Sequence, residues 1–427
     1  MNMNTTLQTP LEEFQEKMSL FREFTPRSFT FPNIKNKIFV AVGMRRTGKS
    51  WFLTQTIKEL LLRGIPLNQI LYLNFEDDRL QPLTQEKLRQ LLDGFYSLYP
   101  ENHDRFCYLF LDEIQNVEDW ALVIRRYYDT KKVQIYLSGS SAKLLSKEIA
   151  SSLRGRSITT EVWPFSFKEY LHAKNVVYDT KLIGKKFLDK MKHLLIEYLH
   201  CGGLPETTDI IEATDRVRVL QDYVDVVIFR DIIERYKVTN IVLVKYFLQL
   251  LLKNPGTLFS VNKIFNDLKS QGFSVSKNTL YEYLNYFEDA YLIFSVPLYS
   301  RSVRKMQTNP RKIYVIDSGL SNAYSLKFNR DFGHLFENLI YLDLRRKGHE
   351  IYYYLTKGHN EVDFLTKDLD GKMHLYQVVW NIDDNATMMR EKRALKEASD
   401  ELNIIGELIT SEIYLKNNFQ LPRTTAK

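Results

Sequence analysis

The sequence predicts an α/β protein whose first part is built on a parallel sheet. Two observations lead to this fold class: short apolar segments end in polar turns, and stretches with helical spacing of apolar residues separate them. That alternation is typical of parallel strands joined by helices. The predicted strands are residues 37–42, 70–75, 106–113 and 133–140.

Size and composition are those of an ordinary globular protein with several domains. The 427 residues are 44% hydrophobic and 26% charged, enough for two or three domains with separate cores. No apolar run reaches the roughly 18 residues that a membrane-spanning helix needs. The first residues lack the basic and apolar regions of a secretory signal. We therefore expect a cytoplasmic protein with no membrane partner.

Cysteine content and charge narrow the kinds of site to expect. The two cysteines, Cys107 and Cys201, lie far apart in different predicted elements, which is neither a disulfide framework nor a metal-binding spacing. The net charge is +7. A basic balance of this size is a mild bias towards a polyanionic partner such as nucleic acid.

A glycine-rich loop follows the first predicted strand, which itself follows a predicted helix at about residues 10–24. The loop reads GMRRTGKS, the spacing of a P-loop, in which glycines let backbone amides point at phosphates at the start of a helix. Lys49 is expected to contact the β- and γ-phosphates, and the Ser50 hydroxyl to ligate Mg²⁺. The sequence therefore predicts an ATP and Mg²⁺ site formed by Gly43, Arg45, Arg46, Thr47, Gly48, Lys49, Ser50 and Trp51.

The predicted strand at 106–113 ends in two carboxylates, Asp112 and Glu113. An apolar strand of this kind downstream of a P-loop is typical of a Walker B element. Asp112 is placed to hold Mg²⁺ through water, and Glu113 to polarise the attacking water. We expect Lys49 and Glu113 to be catalytic residues.

The next predicted strand, at 133–140, ends in small hydroxyl residues. Ser138 or Ser140 is placed to sense the γ-phosphate, and we include Ser140 in the predicted nucleotide site. A serine- and glycine-rich turn that caps a helix is the alternative interpretation.

Five segments together resemble a large group of prokaryotic AAA-type ATPases related to the signal-transduction ATPases with numerous domains. The segments are VGMRRTGKS, LFLDEIQNVEDW, YLSGSSAKLLSKEIASSLRGRS, WPFSFKEY and GGLPE, in the order and spacing of that group. The resemblance covers nearly the whole chain and implies a winged helix and a C-terminal nuclease-like domain of unknown function. The resemblance and the order of predicted helices and strands together divide the chain into four domains. These are an ATPase domain at 1–164, a helical lid at 165–240, a winged helix at 241–304 and a nuclease-like domain at 305–427.

In that group the LRGR stretch resembles an arginine-finger region. Arg154 and Arg156 would then contact the γ-phosphate bound by this chain or by a neighbouring one, where a planar guanidinium stabilises developing phosphoryl charge. A basic pair in solvent or at a helix end is the alternative. Gln115 and Trp120 also follow the group's pattern, and we assign them packing or polar support.

The layout after residue 260 is that of a winged helix: a helix, a glycine turn, and a second helix capped by Ser276. The N-terminal part of such a second helix meets the major groove of DNA, which places Lys277, Asn278 and Thr279 at the DNA face. A basic cluster able to follow phosphates comes next, and it consists of Arg301, Arg304, Lys305, Arg311 and Lys312. A structural or protein-binding winged helix is the alternative.

The C-terminal region resembles the restriction-endonuclease-like fold. That chemistry needs a helix glutamate, a strand aspartate, and a carboxylate two residues before a lysine on the next strand. Glu337 and Asp363 fit, but Gln377 stands where the last carboxylate belongs and Val379 where the lysine belongs. A neutral amide is a poor ligand for a hard divalent cation. We expect a vestigial site, unless Lys367 or Lys372 reaches in from elsewhere.

The combined prediction is an ATP-hydrolysing or ATP-switched protein whose nucleotide state controls a winged helix and a nuclease-like module, with double-stranded DNA as the expected partner. A signalling switch that binds protein partners or copies of itself is the second hypothesis. An ATP-dependent nuclease is the third.

Overall fold

The computed structural model describes residues 3–19, 24–139, 153, 155–178, 184–325, 332–380, 385–419 and 421. The chain divides into two compact units, Met1–Trp163 and Pro164–Lys427. Among the described residues, no helix combines the length and the apolar character needed to cross a membrane.

A five-stranded parallel sheet forms the core of the first unit. Its strand order is β2-β3-β4-β1-β5, and every neighbouring pair is parallel. The four predicted strands are confirmed, and a fifth, short and only half-buried, follows them. The strands are β1 (Ile38–Val42), β2 (Ile70–Asn74), β3 (Cys107–Asp112), β4 (Val133–Gly139) and β5 (Ser157–Glu161).

Helices and short 3₁₀ turns connect the strands of this sheet. The helices are α1 (Met3–Ser19), α2 (Lys49–Leu62), α3 (Gln85–Leu98) and α4 (Trp120–Thr130), and the 3₁₀ turns are Leu67–Gln69, Asp78–Leu80, Pro100–His103 and Ile114–Asn116. The first helix begins at Met3, earlier than the predicted start at about residue 10, and residue 24, the predicted end, is not helical.

Buried aromatic rings hold the sheet and its helices together. Phe110 of β3 stacks on Tyr136 of β4, with ring centroids 4.4 Å apart and planes at 2°, and Phe52 of α2 is fully buried in the same cluster. A fully buried aromatic side chain of this kind stabilises the fold by about 1.5–3 kcal/mol. The strands β1 and β3 both pair with β4 and run parallel to it. Their carboxyl ends therefore lie at the same edge of the sheet.

The N-terminal helix packs on the second strand. The ring of Phe14 in α1 stacks on Tyr72 of β2 at 5.2 Å. Glu13 receives two hydrogen bonds from Arg79, of 2.7 and 2.8 Å. This ion pair is largely exposed, so it stabilises the fold little, and the buried ring of Phe14 is the stronger attachment.

The second unit opens with a helical region. One long helix in it contains a π-helical segment, Ile228–Ile233, before it ends at Tyr236. The helices are α5 (Phe167–Ala173), α6 (Lys185–Cys201), α7 (Ala213–Val227, continuing through Ile228–Ile233 and Glu234–Tyr236) and α8 (Ile241–Leu252), with a 3₁₀ turn at Pro205–Asp209.

A glycine turn joins this helical region to a buried aspartate. A Cβ on Gly203 would lie 2.3 Å from the carbonyl oxygen of Phe165, and one on Gly319 would lie 2.3 Å from that of Cys201. The carboxylate of Asp317 accepts hydrogen bonds from the amides of Gly203 (2.6 Å) and Gly319 (2.8 Å). Burial raises the pKa of Asp317 to about 6 although these amides favour its ionised form. The GGLPE segment is therefore a packing motif.

Next comes a small antiparallel sheet, in the order β6-β8-β7. Along the chain, two helices separate β6 from β7. The predicted boundary at 304 falls before β8, yet β8 pairs with both β6 and β7. The elements are β6 (Thr257–Phe259), α9 (Val261–Ser270), α10 (Lys277–Asp289), β7 (Ile293–Val296), α11 (Val303–Thr308) and β8 (Arg311–Val315).

A four-stranded mixed sheet, in the order β12-β11-β10-β9, completes the second unit. Its outer strand β12 runs parallel to β11, and the other pairs are antiparallel. The register between β9 and β10 shifts between Val362 and Leu365. The elements are α12 (Ser318–Tyr324), α13 (Phe332–Arg346), β9 (Glu350–Leu355), β10 (Glu361–Lys367), β11 (Met373–Val379), α14 (Asn385–Leu402), β12 (Gly406–Thr410) and α15 (Ser411–Lys416).

Candidate functional site

The predicted P-loop lies between β1 and α2, the strand–loop–helix setting that its chemistry requires. Gly48 adopts φ +93° immediately before α2, a conformation that favours glycine. A Cβ on Gly43 would lie 2.3 Å from the carbonyl oxygen of Val162. Both glycines therefore keep the loop folded tightly against the sheet, with its amides at a helix N-terminus.

Lys49 is buried and folded back onto the loop. Its Nζ donates to the carbonyl oxygens of Gly43 (3.2 Å) and Met44 (3.1 Å). The same Nζ lies 3.7 Å from Oε1 of Glu113. A buried ammonium with weak, replaceable contacts on a loop of this shape suits an anionic phosphate, which would supply shorter charge-assisted bonds.

Arg27 belongs to no recognised motif, yet its side chain holds the P-loop in place. Its guanidinium donates to the carbonyl oxygens of Thr47 (2.9 Å) and Trp163 (2.7 Å). Its own amide donates to Oε1 of Gln55 in α2, at 2.7 Å. The side chain is only 6% exposed. Because these partners are distant in sequence, nothing in the residue pattern could have identified Arg27.

The other predicted loop residues occupy varied surroundings. Arg45 is ion-paired with Glu76 at 2.8 Å, and Arg46 is exposed with φ +68°. The buried hydroxyl of Thr47 donates to the carbonyl oxygen of Met44 at 2.9 Å. Trp51 is 47% exposed on the first turn of α2. Arg46 and Trp51 are thus accessible to a ligand, whereas Thr47 fixes the loop.

The two residues predicted to hold Mg²⁺ lie together. Asp112 is fully buried at the end of β3, and the hydroxyl of Ser50 hydrogen-bonds to its carboxylate. Tyr72 donates to Oδ2 of Asp112 at 2.8 Å, and Ser138 donates to Oδ1. Burial, and then Glu113, raise the pKa of Asp112, while those three hydroxyls lower it. One carboxylate and one hydroxyl are hard oxygen ligands of the kind Mg²⁺ uses in nucleotide sites.

Glu113 has an unusual backbone and a well-defined side chain. Its φ is +53°, a left-handed conformation that costs a non-glycine residue about 1–2 kcal/mol. Its amide donates to Oγ of Ser138 at 3.0 Å, and its carboxylate accepts a hydrogen bond from Nε2 of Gln115. Gln115 thus gives the expected polar support, and the group that it supports is the predicted catalytic carboxylate of Glu113.

Ser138, one of the two candidate sensors, contacts both Walker B carboxylate residues. Its hydroxyl donates to Asp112 and accepts from the amide of Glu113. The second candidate, Ser140, lies outside the described residues, as does Arg154.

Arg156 lies at the opposite edge of the sheet from the P-loop. Its carbonyl oxygen accepts from the amide of Ile38 at 2.7 Å, and its guanidinium pairs with Asp129 at 3.2 Å. Since β1 runs for five residues from Ile38 to the loop, the two ends are roughly 16 Å apart at about 3.3 Å per residue. Within one chain, Arg156 therefore does not belong to the nucleotide site. Contact with a nucleotide on a neighbouring chain stays a prediction.

A second group of charged side chains lies in the C-terminal sheet. Lys312 of β8 is 1% exposed, and its Nζ contacts Oε1 of Glu337 at 2.9 Å and Oδ1 of Asp363 at 2.9 Å. A third carboxylate, that of Glu361, lies 2.7 Å from the same Nζ. The sequence placed Lys312 in a phosphate-binding surface cluster. That prediction was wrong, because the side chain is buried among carboxylates.

The pKa values of Lys312 and Asp363 each reflect two opposing effects, burial and pairing with opposite charges. Burial would lower the pKa of Lys312, but Asp363 and Glu337 raise it well above its usual range. Burial and the nearby Glu337 raise the pKa of Asp363 to about 7, against the opposing effect of Lys312. Pairing with these carboxylates therefore keeps the ammonium charged.

The remaining nuclease-like positions do not complete a metal site. Gln377 accepts from the amide of Asp363 at 3.2 Å and donates to Glu391 at 2.6 Å. Val379 is a buried apolar residue. Lys367 points to Glu350 at 4.0 Å, so the lysine that reaches the carboxylates is Lys312. Across the described ranges, no group of three or more His, Cys, Asp or Glu residues is arranged to hold a metal ion. Exposed Lys372 uses its amide to bond Asp368 at 2.8 Å.

The residues predicted to face DNA lie on the small antiparallel sheet and its helices. Ser276 caps α10 by accepting from the amide of Thr279 at 3.1 Å. Lys277 and Asn278 are exposed on the first turn of α10, and Thr279 is half-buried. Exposed basic residues are also found around α11, namely Arg301, Arg304 and Lys305.

Comparison with known proteins supports a P-loop ATPase domain in the first part of the chain. Residues 35–171 match the model of an AAA domain. Residues 192–331 and 332–417 match two domains of unknown function, DUF8612 and DUF4143.

Two solved structures share low similarity with the chain. The Walker-type ATPase paby2304 of Pyrococcus abyssi is 16% identical, with 71% of this chain and 98% of that chain covered and a TM-score of 0.42. The Aeropyrum pernix ORC1 protein, in complex with DNA, is 11% identical, with 75% and 91% covered and a TM-score of 0.31.

Two relatives cover most of the chain. The uncharacterized protein MJ1544 of Methanocaldococcus jannaschii is 36% identical over 87% of this chain and 80% of its own length. An uncharacterized protein of Haemophilus influenzae is 30% identical over 87% of this chain and 89% of its own length. The chain therefore belongs to the same family as these two relatives, and its residues 35–171 are an AAA domain of the P-loop ATPase class.

Proposed function

We propose that this protein is a Mg²⁺-dependent ATPase whose nucleotide state controls a DNA-binding module in its second unit. The observation that carries the ATPase assignment is the grouping of Lys49, Ser50, Asp112 and Glu113 at one edge of the parallel sheet. A lysine, a hydroxyl, a buried carboxylate and a second carboxylate in that arrangement supply the recurring parts of P-loop phosphoryl transfer.

Each side chain has a distinct task in that reaction. Phosphate oxygens would replace the carbonyl contacts of Lys49, since they offer the ammonium stronger bonds. Ser50 and Asp112 would hold Mg²⁺, which would neutralise the negative charge that develops on the transferred phosphoryl group. Glu113, released from Lys49, would orient the attacking water and accept its proton. Gln115 keeps the Glu113 carboxylate in place for that step.

The test of the ATPase is a pair of variants with a matched control. Lys49→Ala should abolish tight ATP binding, whereas Glu113→Gln should keep ATP binding and stop turnover. Lys58→Ala, an exposed lysine on the same helix, should leave both unchanged. Normal turnover by Glu113→Gln would refute the catalytic assignment, and a wild-type protein that retains no nucleotide at millimolar concentration would refute the site itself.

The proposed DNA-binding module is a winged helix formed by β6, α9, α10, β7 and β8. Two features support it: the first turn of α10 is exposed and carries Lys277 and Asn278, and the β7–β8 connection carries three exposed basic side chains. An exposed second helix with a basic loop beside it suits a major groove and its phosphates. The three basic residues are Arg301, Arg304 and Lys305.

Salt dependence separates DNA binding from the alternative, a nucleotide-controlled switch that binds protein. If the basic residues contact phosphates, the affinity for duplex DNA should fall steeply with salt, and each lost contact should reduce the logarithmic slope by about 0.9. Arg301→Ala and Lys277→Ala test this, with the exposed Arg218→Ala of α7 as the control. Absence of duplex binding even at low salt would favour the protein-binding switch.

A further inference from the structure

The lysine of β8 and two of its carboxylate partners are buried, unlike the members of an ordinary surface ion pair. The side chain of Lys312 is 2% exposed, and those of Glu337 and Asp363 are 10% exposed. Three carboxylate oxygens surround one nitrogen at 2.7–2.9 Å. A buried ammonium is very costly unless it is paired on several sides, and this one is.

We propose that Lys312 is a built-in cation that replaces a divalent metal ion among the carboxylates of Glu337, Glu361 and Asp363. The geometry supports this substitution, since oxygen ligands of Ca²⁺ lie at about 2.3–2.6 Å, only a few tenths of an ångström closer than those around Nζ. With the ammonium in that position, a metal ion has no room and meets a positive charge.

The surroundings enclose the position on the sides of Glu337 and Asp363, whereas the side chain of Glu361 is 33% exposed. Tyr314 donates to Oε1 of Glu337 at 2.6 Å, so that oxygen is shared between a hydroxyl and the ammonium. A Cβ on Gly256 would lie 3.0 Å from Oε2 of the same glutamate, which shows how closely the backbone approaches it. On the strand next to Asp363, the amide of Gln377 replaces a possible further carboxylate, and it is already bonded to Glu391.

The replacement also joins two sheets of the second unit. Lys312 comes from β8 of the three-stranded sheet, whereas Glu337 lies on α13 and the other two carboxylates on β10 of the four-stranded sheet. A metal ion in this position would make the joint depend on metal concentration. A lysine gives the joint a permanent cation, so the two sheets stay connected whether or not metal is present.

Manganese binding to the full-length, nucleotide-free protein tests the proposal. Wild type and Asp363→Asn should bind the same number of Mn²⁺ ions in equilibrium dialysis, because Lys312 excludes the metal. Lys312→Ala should bind one more Mn²⁺ per chain, and the double variant with Asp363→Asn should lose it. Lys190→Ala, at an exposed lysine of α6, should behave as wild type.

Stability gives a second readout that holds even if Lys312→Ala folds poorly. Without metal its Tm should fall by roughly 5–10 °C, and millimolar Mn²⁺ should restore most of that loss or allow refolding by mass action. The Tm of wild type should not respond to Mn²⁺ through these carboxylates. Two results would overturn the proposal: a wild-type Mn²⁺ ion that disappears in Asp363→Asn, or a Lys312→Ala variant that gains neither an ion nor stability from Mn²⁺.

Discussion

Tyr72 donates a 2.8 Å hydrogen bond to Oδ2 of Asp112, and the ring of the same tyrosine stacks on Phe14 of the N-terminal helix. The aspartate predicted to hold Mg²⁺ is thus oriented by a residue of the neighbouring strand. Tyr72 contacts neither nucleotide nor metal in this scheme, so it is a positioning residue.

Tyr72→Phe should therefore weaken the use of Mg²⁺ without weakening the binding of ATP itself. A hydrogen bond to a charged group contributes about 1.5–3 kcal/mol, so we expect the Mg²⁺ concentration for half-maximal ATPase activity to rise about tenfold or more. Titration of activity with Mg²⁺ at saturating ATP measures this, and affinity for ATP in EDTA serves as the control. An unchanged Mg²⁺ requirement would show that Ser138 and Ser50 orient Asp112 without help.

Gln115 is expected to affect turnover and not binding. Gln115→Ala removes the donor to the Glu113 carboxylate, so the carboxylate is no longer held in the orientation that the attacking water needs. We expect kcat to fall by roughly tenfold, a part of the 10²–10⁴-fold that general base catalysis provides, with KM for ATP unchanged. Steady-state kinetics of Gln115→Ala beside Gln115→Asn would decide. Equal kcat in wild type and Gln115→Ala would contradict the assigned support.

The glycine turn of the second unit should be intolerant of a methyl group. Gly203→Ala would place a Cβ 2.3 Å from the carbonyl oxygen of Phe165, and relief of such overpacking costs about 1–3 kcal/mol. Gly184→Ala is the matched control, because a Cβ there meets nothing within 4 Å. Thermal unfolding of the two variants should show a large loss for Gly203→Ala and a small one for the control. Equal losses would mean that the turn can shift.

Stability should fall as pH rises from about 4 through 6. The buried Asp317 has a pKa raised to about 6, so its contribution is fully present below its unfolded pKa near 4 and is lost as the folded carboxyl ionises. The pKa of Asp363, raised to about 7, likewise makes the free energy of unfolding fall as pH rises to neutrality.

The loss attributable to Asp317 is on the order of 2–3 kcal/mol in the free energy of unfolding. Urea unfolding between pH 4 and 7 measures it, and Asp317→Asn should flatten the dependence below pH 6. The same slope in wild type and Asp317→Asn would exclude this carboxyl as its source.

The residues of the proposed nucleotide site could be located largely from the sequence because its parts are contiguous. Gly43 to Ser50 form one motif, and Asp112 and Glu113 end one apolar strand, so local pattern and chemistry sufficed. Arg27, Tyr72 and the role of Gln115 escaped prediction for a different reason. Their contacts depend on side-chain directions and on strand order, which residue spacing does not determine.

The C-terminal region shows the same limit more sharply. Glu337 and Asp363 were placed together correctly, but the lysine was sought at Val379, Lys367 or Lys372. The residue that fills the position, Lys312, sits in a run of basic residues that looks solvent-exposed. Only the pairing of β8 with β6 and β7 turns its side chain inward.

The π-helical segment at Ile228–Ile233 sets the rotational phase of the last turn of α7. A π turn holds one residue more than an α-helical turn, so the end of the helix is rotated by about 100° relative to an uninterrupted α-helix. In that phase Tyr236 stacks on Tyr286 at 3.7 Å and its hydroxyl donates to Asp289 at 2.8 Å. Deletion of a single residue from the segment would restore regular winding and turn this tyrosine away from α10, so the length of the insertion, more than its composition, determines how the helix meets its neighbour.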